Sequence, residues 1–208
     1  MEIFKYGQKE IDYLKKKDKK LGKAIDEIGK IEREVTPDLF KSLIRSIVAQ
    51  QISAKAAVTV FNRMKEVLIE ITPETIFEAE EEKIQRCGLS MRKAVYIKGI
   101  GDAVYNGHLK LDDFPDLSDV EIIKRLIELN GIGVWTAEML LIFSMERPDI
   151  VSFGDLAIIR GMRKVYGLET LTKEQFEKYK KRYSPYGSVA SLYLWAISGP
   201  PGPWGQVP

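Results

Sequence analysis

Apolar residues recur at helical spacing along most of the chain, and the alternating pattern typical of β-strands is absent. Residues 8–30 predict two short amphipathic helices separated near Asp18, with apolar positions at Ile11, Leu14, Leu21, Ala24, Ile25 and Ile28. More apolar helices are predicted after Thr36-Pro37 and in the segment SVASLYLWAIS. With about ten helices and no convincing strand, the sequence predicts an all-α fold.

Capping residues indicate where many of these helices begin. Thr36-Pro37 and Thr72-Pro73 each place a hydroxyl group before a first-turn proline. The other predicted caps are Ser53, Ser90, Ser118 with Glu121 in a capping box, and Thr172 with Gln175. We expect the helix that follows Ser118 to end at Leu129 and the next helix to begin at Val134.

Composition excludes several kinds of chemistry. The 208 residues include one cysteine and one histidine, which excludes a disulfide framework, a four-cysteine metal cluster and the usual zinc-site spacings. A net charge of +2 neither requires nor excludes a nucleic-acid partner. No apolar run is long enough to span a membrane, and the first residues do not resemble a signal peptide, so we expect a cytoplasmic protein.

The sequence Gly131-Ile132-Gly133 lies between two helical segments. A dinucleotide-binding loop is excluded, because no third glycine follows at the required spacing and no strand precedes it. A helix–hairpin–helix fits better, since glycine allows a tight turn and close approach of a ligand. Amides at the start of the helix beginning at Val134 could then hold a phosphate. A structural helical hairpin is the alternative.

Two further segments carry candidate chemistry. Asp155 precedes the helical segment LAIIRGMRKVYG, where it can cap the helix, act as a catalytic carboxylate, or do both. Gln50-Gln51 lies at a helix junction and could contact base edges, fill a gap in a duplex, or form an ordinary polar turn. Trp135 and Trp195 belong to segments whose aromatic side chains could line a pocket for an extruded base or form part of the core.

Five ordered segments resemble the helix–hairpin–helix DNA glycosylases, in particular the branch that contains bacterial 3-methyladenine DNA glycosylase II. These segments are IVAQQISAKAA, GLSMRKAVYI, LNGIGVWTAEML, VSFGDLAIIRG and YSPYGSVASLYLW, and the resemblance runs from about residue 36 to residue 197. It implies a two-lobed helical bundle with a cleft between the lobes. We expect residues 1–200 to form one unit of two intertwined lobes, followed by an irregular tail at 201–208.

The resemblance also implies an activity, namely flipping of a damaged base from duplex DNA and hydrolysis of its N-glycosidic bond. The predicted site residues are Asp155 as the catalytic group; Trp135, Trp195 and Met139 in the base pocket; and Gln50, Gln51, Gly131, Gly133, Val134 and Thr136 at the DNA. Gln51 matches the residue that fills the gap left by the flipped nucleotide. Main-chain carbonyls of Ile127, Leu129 and Ile132 are expected to bind Na⁺ or K⁺, and catalysis is expected to need no cofactor.

Departures from the family pattern narrow the expected activity. Trp135 occupies the position where bifunctional members carry a lysine, so we expect base hydrolysis without strand cleavage. Met139 stands where the bacterial enzyme has a tyrosine, so the pocket contact of that tyrosine is not inherited. Ser152 stands where a proline is usual, and Gly187 stands where an arginine is frequent. The alternatives are a non-catalytic DNA-binding module and a glycosylase for oxidised purines. We expect a monomer that acts on damaged double-stranded DNA in a bacterial or archaeal nucleoid or a eukaryotic nucleus.

Overall fold

The computed structural model describes residues 2–199, which form twelve α-helices, one 3-10 helix and one small sheet. In chain order the elements are β1 (Glu2–Ile3), α1 (Gln8–Lys17), α2 (Lys19–Ile28), β2 (Glu34–Val35), α3 (Leu39–Ala49), α4 (Ala54–Leu68), α5 (Pro73–Glu78), α6 (Glu81–Gln85), α7 (Met91–Tyr105), the 3-10 helix (Leu111–Asp116), α8 (Asp119–Leu126), α9 (Val134–Phe143), α10 (Leu156–Tyr166), α11 (Lys173–Tyr183) and α12 (Gly187–Ser198).

The all-α prediction is confirmed, with one small exception. Strands β1 and β2 pair antiparallel, with Glu2 opposite Val35 and Ile3 opposite Glu34. Each strand has two residues, so neither is long enough to produce a recognisable alternating pattern. No helix within residues 2–199 combines the length and apolar composition needed to cross a membrane.

The chain forms two compact units. Among the described residues, one unit contains residues 2–35 together with residues 141–199, and the other contains Thr36–Leu140. The first unit is therefore built from two separate stretches of sequence. The predicted irregular tail at 201–208 lies outside the described residues.

The Thr36–Leu140 unit packs α3, α5 and α6 against α7, with α4 against α3. The buried face of α3 includes Leu43, Ile44 and Ile47, all without exposed surface. The predicted cap at Thr36 is wrong by two residues, because the Asp38 side chain accepts a hydrogen bond from the Lys41 amide. The expected end of α8 is also wrong, since the helix stops at Leu126 and the chain continues through hydrogen-bonded turns.

In the other unit, α10 packs closely against α12. Gly161 permits this approach, because a Cβ atom there would lie 2.2 Å from the Leu194 carbonyl oxygen. The two helix backbones are therefore in direct contact, and any larger residue would push them apart.

Most other predicted caps are confirmed. The Ser53, Thr72, Ser90, Ser118 and Thr172 side chains each accept a hydrogen bond from the third residue of the helix they precede. Asp18 separates α1 from α2, as the pattern predicts, and its Oδ1 accepts hydrogen bonds from the Lys20 and Leu21 amides. These contacts are local, so sequence spacing is enough to find them.

Asp18 also joins distant elements of its unit. Its Oδ2 accepts hydrogen bonds from the Tyr166 hydroxyl at 2.7 Å and from the Arg182 guanidinium at 3.0 Å. The Tyr166 and Tyr183 hydroxyls lie 2.7 Å apart, and burial raises the pKa of both phenols, which therefore remain protonated. This buried network connects the α1–α2 junction to the end of α10 and to α11.

We expect Asp18→Ala to lower the free energy of unfolding by about 3 kcal/mol, since it removes a helix cap and leaves Tyr166 and Arg182 without their acceptor. Asp18→Asn should cost less, because asparagine also caps helices well. Urea denaturation measures both, with the exposed Glu27→Ala in α2 as the control. Equal losses for alanine and asparagine would show that the cap contributes little.

Candidate active site

The hairpin predicted around Gly131 is present. After α8, the Leu129 amide donates to the Leu126 carbonyl and the Ile132 amide donates to the Leu129 carbonyl, both at 3.1 Å. Gly131 has φ +87°, a conformation that side-chain-bearing residues rarely adopt. Helix α9 then begins at Val134, as predicted.

The two hairpin glycines serve different purposes. A Cβ atom at Gly131 would lie 2.5 Å from Cδ2 of Tyr96 and 2.9 Å from Cδ1 of Ile47, so the backbone packs directly on α7 and α3. A Cβ atom at Gly133 would meet nothing within 4 Å, and Gly133 is exposed. Gly131 therefore fits the hairpin to its own unit, while Gly133 leaves its outer surface open to a ligand.

The start of α9 presents exposed backbone. Val134 is 52% exposed, and the first amides of a helix have no acceptor within the helix itself. Thr136 is 8% exposed, so its side chain belongs to the interior and only its main chain is part of the first turn. This geometry suits a phosphate group, which is recognised by amides and by the positive end of a helix dipole.

The paired glutamines have separate roles. The Gln50 side-chain amide donates to the Gly131 carbonyl at 2.8 Å, which ties the end of α3 to the hairpin. Gln51 is exposed and has φ +58°, one of three non-glycine residues with positive φ in the described chain. Both side-chain amides were predicted to contact DNA. Only the amide of Gln51 is exposed at the turn and makes no hydrogen bond to the hairpin.

Lys93 is a second support of this junction and was not predicted. Its ammonium group donates to the Val48 carbonyl at 2.9 Å and to the Gln50 carbonyl at 2.5 Å. Burial, and then repulsion from Arg92, lower the pKa of Lys93. A cation in the first turn of α7 opposes the dipole of its own helix, but here it complements the carbonyl end of α3. A lysine in the first turn of a helix, where it opposes the helix dipole, is the feature of the sequence that could have identified Lys93.

The predicted cation site consists of main-chain oxygens in the hairpin. The Leu129 carbonyl accepts one hydrogen bond, from Ile132, and retains a second lone pair for an ion. Carbonyl oxygens are suitable ligands for alkali cations. Within the described residues, no group of three or more histidine, cysteine or acidic side chains could hold a metal. Ion binding at Ile127, Leu129 and Ile132 remains a prediction.

Asp155 is both a helix cap and a buried carboxylate. It is 7% exposed, and its Oδ1 accepts hydrogen bonds from the Ala157 and Ile158 amides at 2.8 and 3.0 Å. Its Oδ2 accepts a hydrogen bond from the Trp195 indole at 3.2 Å. Donors from two helices therefore fix the orientation of this carboxylate, and the structural and chemical roles proposed for it are compatible.

Trp195 makes a polar contact that sequence spacing did not reveal. Besides binding Asp155, its ring packs against Phe143 with centroids 5.5 Å apart, and the Arg33 guanidinium lies 5.3 Å from the Phe143 ring centroid. The indole is half-buried, so part of its surface remains accessible. Trp195 can therefore orient the carboxylate through its indole N–H while part of its ring remains exposed.

The remaining predicted residues are placed less decisively. Trp135 is half-buried as the second residue of α9, and Met139 is 2% exposed one turn later, both in the Thr36–Leu140 unit. Their roles in a base pocket remain predictions. Ser152, at the usual proline position, is fully buried, and its hydroxyl has no hydrogen-bond partner among the described residues. Its carbonyl accepts a weak hydrogen bond from the Asp155 amide at 3.4 Å.

Comparison with known proteins adds independent information. A solved structure of DNA-3-methyladenine glycosidase from Bacillus halodurans superposes with a TM-score of 0.87 and is 32% identical, covering 96% of this chain and 93% of that protein. The 3-methyladenine DNA glycosylase of Schizosaccharomyces pombe, solved with abasic DNA, superposes with a TM-score of 0.77 and is 33% identical, covering 90% of this chain and 95% of the other.

Sequence similarity agrees with these structures. DNA-3-methyladenine glycosylase 1 of Schizosaccharomyces pombe is 37% identical over 164 residues, which cover 76% of this chain and 72% of that protein. Residues 44–185, which include the hairpin and Asp155, match the family described as HhH-GPD superfamily base excision DNA repair protein. The chain therefore belongs to the HhH-GPD superfamily of base excision DNA repair proteins.

Proposed function

We propose that this protein is a monofunctional DNA glycosylase that removes alkylated purines of the 3-methyladenine type from duplex DNA. The observation that carries the proposal is the buried Asp155 carboxylate, which three N–H groups hold in a fixed orientation. Family membership and the names of the similar proteins support the same activity.

The hairpin supplies sequence-independent binding in this proposal. Exposed amides around Gly133 and Val134 contact a phosphate, which positions the duplex but reads no base. Gln51 enters the stack where the damaged nucleotide leaves it, and Trp195, beside Asp155, contacts the extruded base. The base-pocket roles of Trp135 and Met139 stay predictions from the family resemblance. Na⁺ or K⁺ bound to the carbonyls of Ile127, Leu129 and Ile132 would add positive charge near that phosphate.

The reaction then depends on charge. Alkylation at a ring nitrogen gives the purine a positive charge, and the bond to the sugar breaks with its electron pair passing to the departing base. Asp155 stabilises the positive charge that develops on the sugar and orients the water whose oxygen bonds to C1′. That water releases a proton to the solvent, and the products are a free base and an abasic site.

Because residue 135 is a tryptophan, the reaction ends with the release of the base and the formation of the abasic site. An indole has no amine to attack C1′, so no Schiff base with the sugar forms and the strand stays intact. The protein acts as a monomer on chromosomal DNA, either in a nucleoid or in a nucleus. A non-catalytic DNA-binding module and an oxidised-purine glycosylase are the alternatives that the following measurements distinguish.

Asp155→Asn should lower the rate of base release by about a hundredfold or more, since it removes the charge that stabilises the transition state. Asparagine is also a good cap, so folding and duplex binding should survive. Single-turnover release from alkylated duplex DNA gives the rate. Asp38→Asn is the matched control, because Asp38 also caps a helix but is exposed.

Near-wild-type release by Asp155→Asn would contradict the assignment. If the unmodified protein binds alkylated duplex but liberates no base, it is a binding module. Preferential release of 8-oxoguanine over 3-methyladenine from single-lesion duplexes would instead support the oxidised-purine alternative.

The protein should leave abasic strands uncut and form no covalent adduct when borohydride is added, because position 135 lacks an amine. Electrophoresis of the reaction before and after alkali treatment measures cleavage, and a lyase-competent glycosylase run in parallel is the control. Strand cleavage before alkali treatment, with a borohydride-trapped adduct, would refute the monofunctional assignment.

Gln50 and Gln51 should respond differently to substitution. Gln50→Leu loses the hydrogen bond to Gly131 and should lower both the free energy of unfolding, by about 1 kcal/mol, and the affinity for duplex DNA. Gln51→Ala should leave stability nearly unchanged but slow base release about tenfold, because the vacated stack is no longer filled. Urea denaturation and single-turnover assays measure both variants. Identical profiles would contradict this division.

A further inference from the structure

Helix α12 presents a row of polar side chains to the segment that leads to Asp155. Ser188, Ser191 and Trp195 are three and four residues apart, which places them on one face of the helix. Ser188 and Ser191 have no exposed surface. Each of the three hydrogen-bonds to a residue between Arg147 and Asp155.

The serines satisfy buried backbone groups of this segment. Residues 147–150 lie outside any helix or strand of the described chain, so their polar groups need other partners. The Ser188 hydroxyl donates to the Arg147 carbonyl and accepts from the Ile150 amide at 3.0 Å, while the Ser188 amide donates to the Pro148 carbonyl at 2.9 Å. The Ser191 hydroxyl donates to the Ile150 carbonyl at 2.8 Å.

Asp149 fixes the same segment to the beginning of α12. Its Oδ1 accepts a hydrogen bond from the Gly187 amide at 3.0 Å, and its Oδ2 accepts one from the Ser184 hydroxyl at 2.5 Å. A Cβ atom at position 187 would lie 2.7 Å from Oδ1 of Asp149 and 2.8 Å from Cγ2 of Val151. Glycine is therefore needed for this close contact.

We propose that Ser188 and Ser191 are positioning residues for Asp155, an inference that rests on the proposed function. They anchor residues 147–150 to α12, and Trp195 anchors Asp155 itself to the next turn of the same helix. Only residues 151–154 lie between Ile150, which Ser191 holds, and Asp155, which Trp195 holds. One rigid helix thereby sets the path of the segment and the position of the carboxylate.

Loss of either hydroxyl should act on the chemical step. Without Ser191, the buried Ile150 carbonyl loses its donor, and the segment must move to find another. A displacement of about 1 Å of a catalytic group can reduce a rate about a hundredfold. We therefore expect Ser188→Ala and Ser191→Ala each to slow single-turnover base release about tenfold or more, with an unchanged Kd for abasic duplex.

The experiment compares these variants with Ser46→Ala. Ser46 is also a buried helical serine, but its hydroxyl donates to the Leu43 carbonyl in its own helix, and it belongs to the unit that does not contain Asp155. Each variant is assayed at saturating protein, well below its melting temperature, in the full-length wild-type and Asp155→Asn backgrounds. If Ser191→Ala does not fold, Ser191→Cys preserves the volume and supplies a weaker donor, with the same expected direction.

A positioning role predicts that Ser188→Ala and Ser191→Ala slow the wild-type protein but leave the residual rate of Asp155→Asn unchanged, since the group they position is already disabled. Equal slowing in both backgrounds, or rates like that of Ser46→Ala, would overturn the inference. Failure of the unmodified protein to release any base would instead refute the proposed function, so the two failures are distinguishable.

Discussion

The hydrogen bond between the Trp195 indole and the Asp155 carboxylate depends on the register of two helices. Asp155 begins α10, and Trp195 follows Leu194, whose carbonyl group lies against Gly161 in the middle of α10. Because the two backbones touch there, neither helix can shift without a clash or a gap. The carboxylate is therefore held by interhelical packing as well as by its own helix cap.

The hairpin in the Thr36–Leu140 unit depends on its neighbours in a comparable way. Gln50 binds the Gly131 carbonyl, Lys93 binds the end of α3, and Tyr96 fills the space that a side chain at Gly131 would need. Preorganised backbone amides bind a negative charge more favourably than mobile ones, because they need no reorganisation. These three side chains provide that constraint from outside the GIG sequence.

Local contacts could be predicted from sequence and distant ones could not. Caps such as Ser53 and Ser118 act on residues three positions away, so spacing reveals them. The cap at Asp38 was missed because Thr36-Pro37 offered a competing local solution two residues earlier. The Trp195–Asp155 and Ser191–Ile150 contacts span about forty residues, and only the packing of α12 brings their atoms together. The sequence pattern therefore singled out the Asp155 carboxylate but not the side chains that orient it.

Gly187 shows how a departure from the family pattern follows from packing. A frequent arginine at this position would need a Cβ atom where Asp149 and Val151 already lie, and glycine instead lets the α12 amide reach the Asp149 carboxylate. The absence of a side chain at position 187 thus permits a close connection between α12 and the segment before Asp155. Because that segment leads directly to Asp155, the packing around Gly187 helps to fix the path of the chain to the carboxylate.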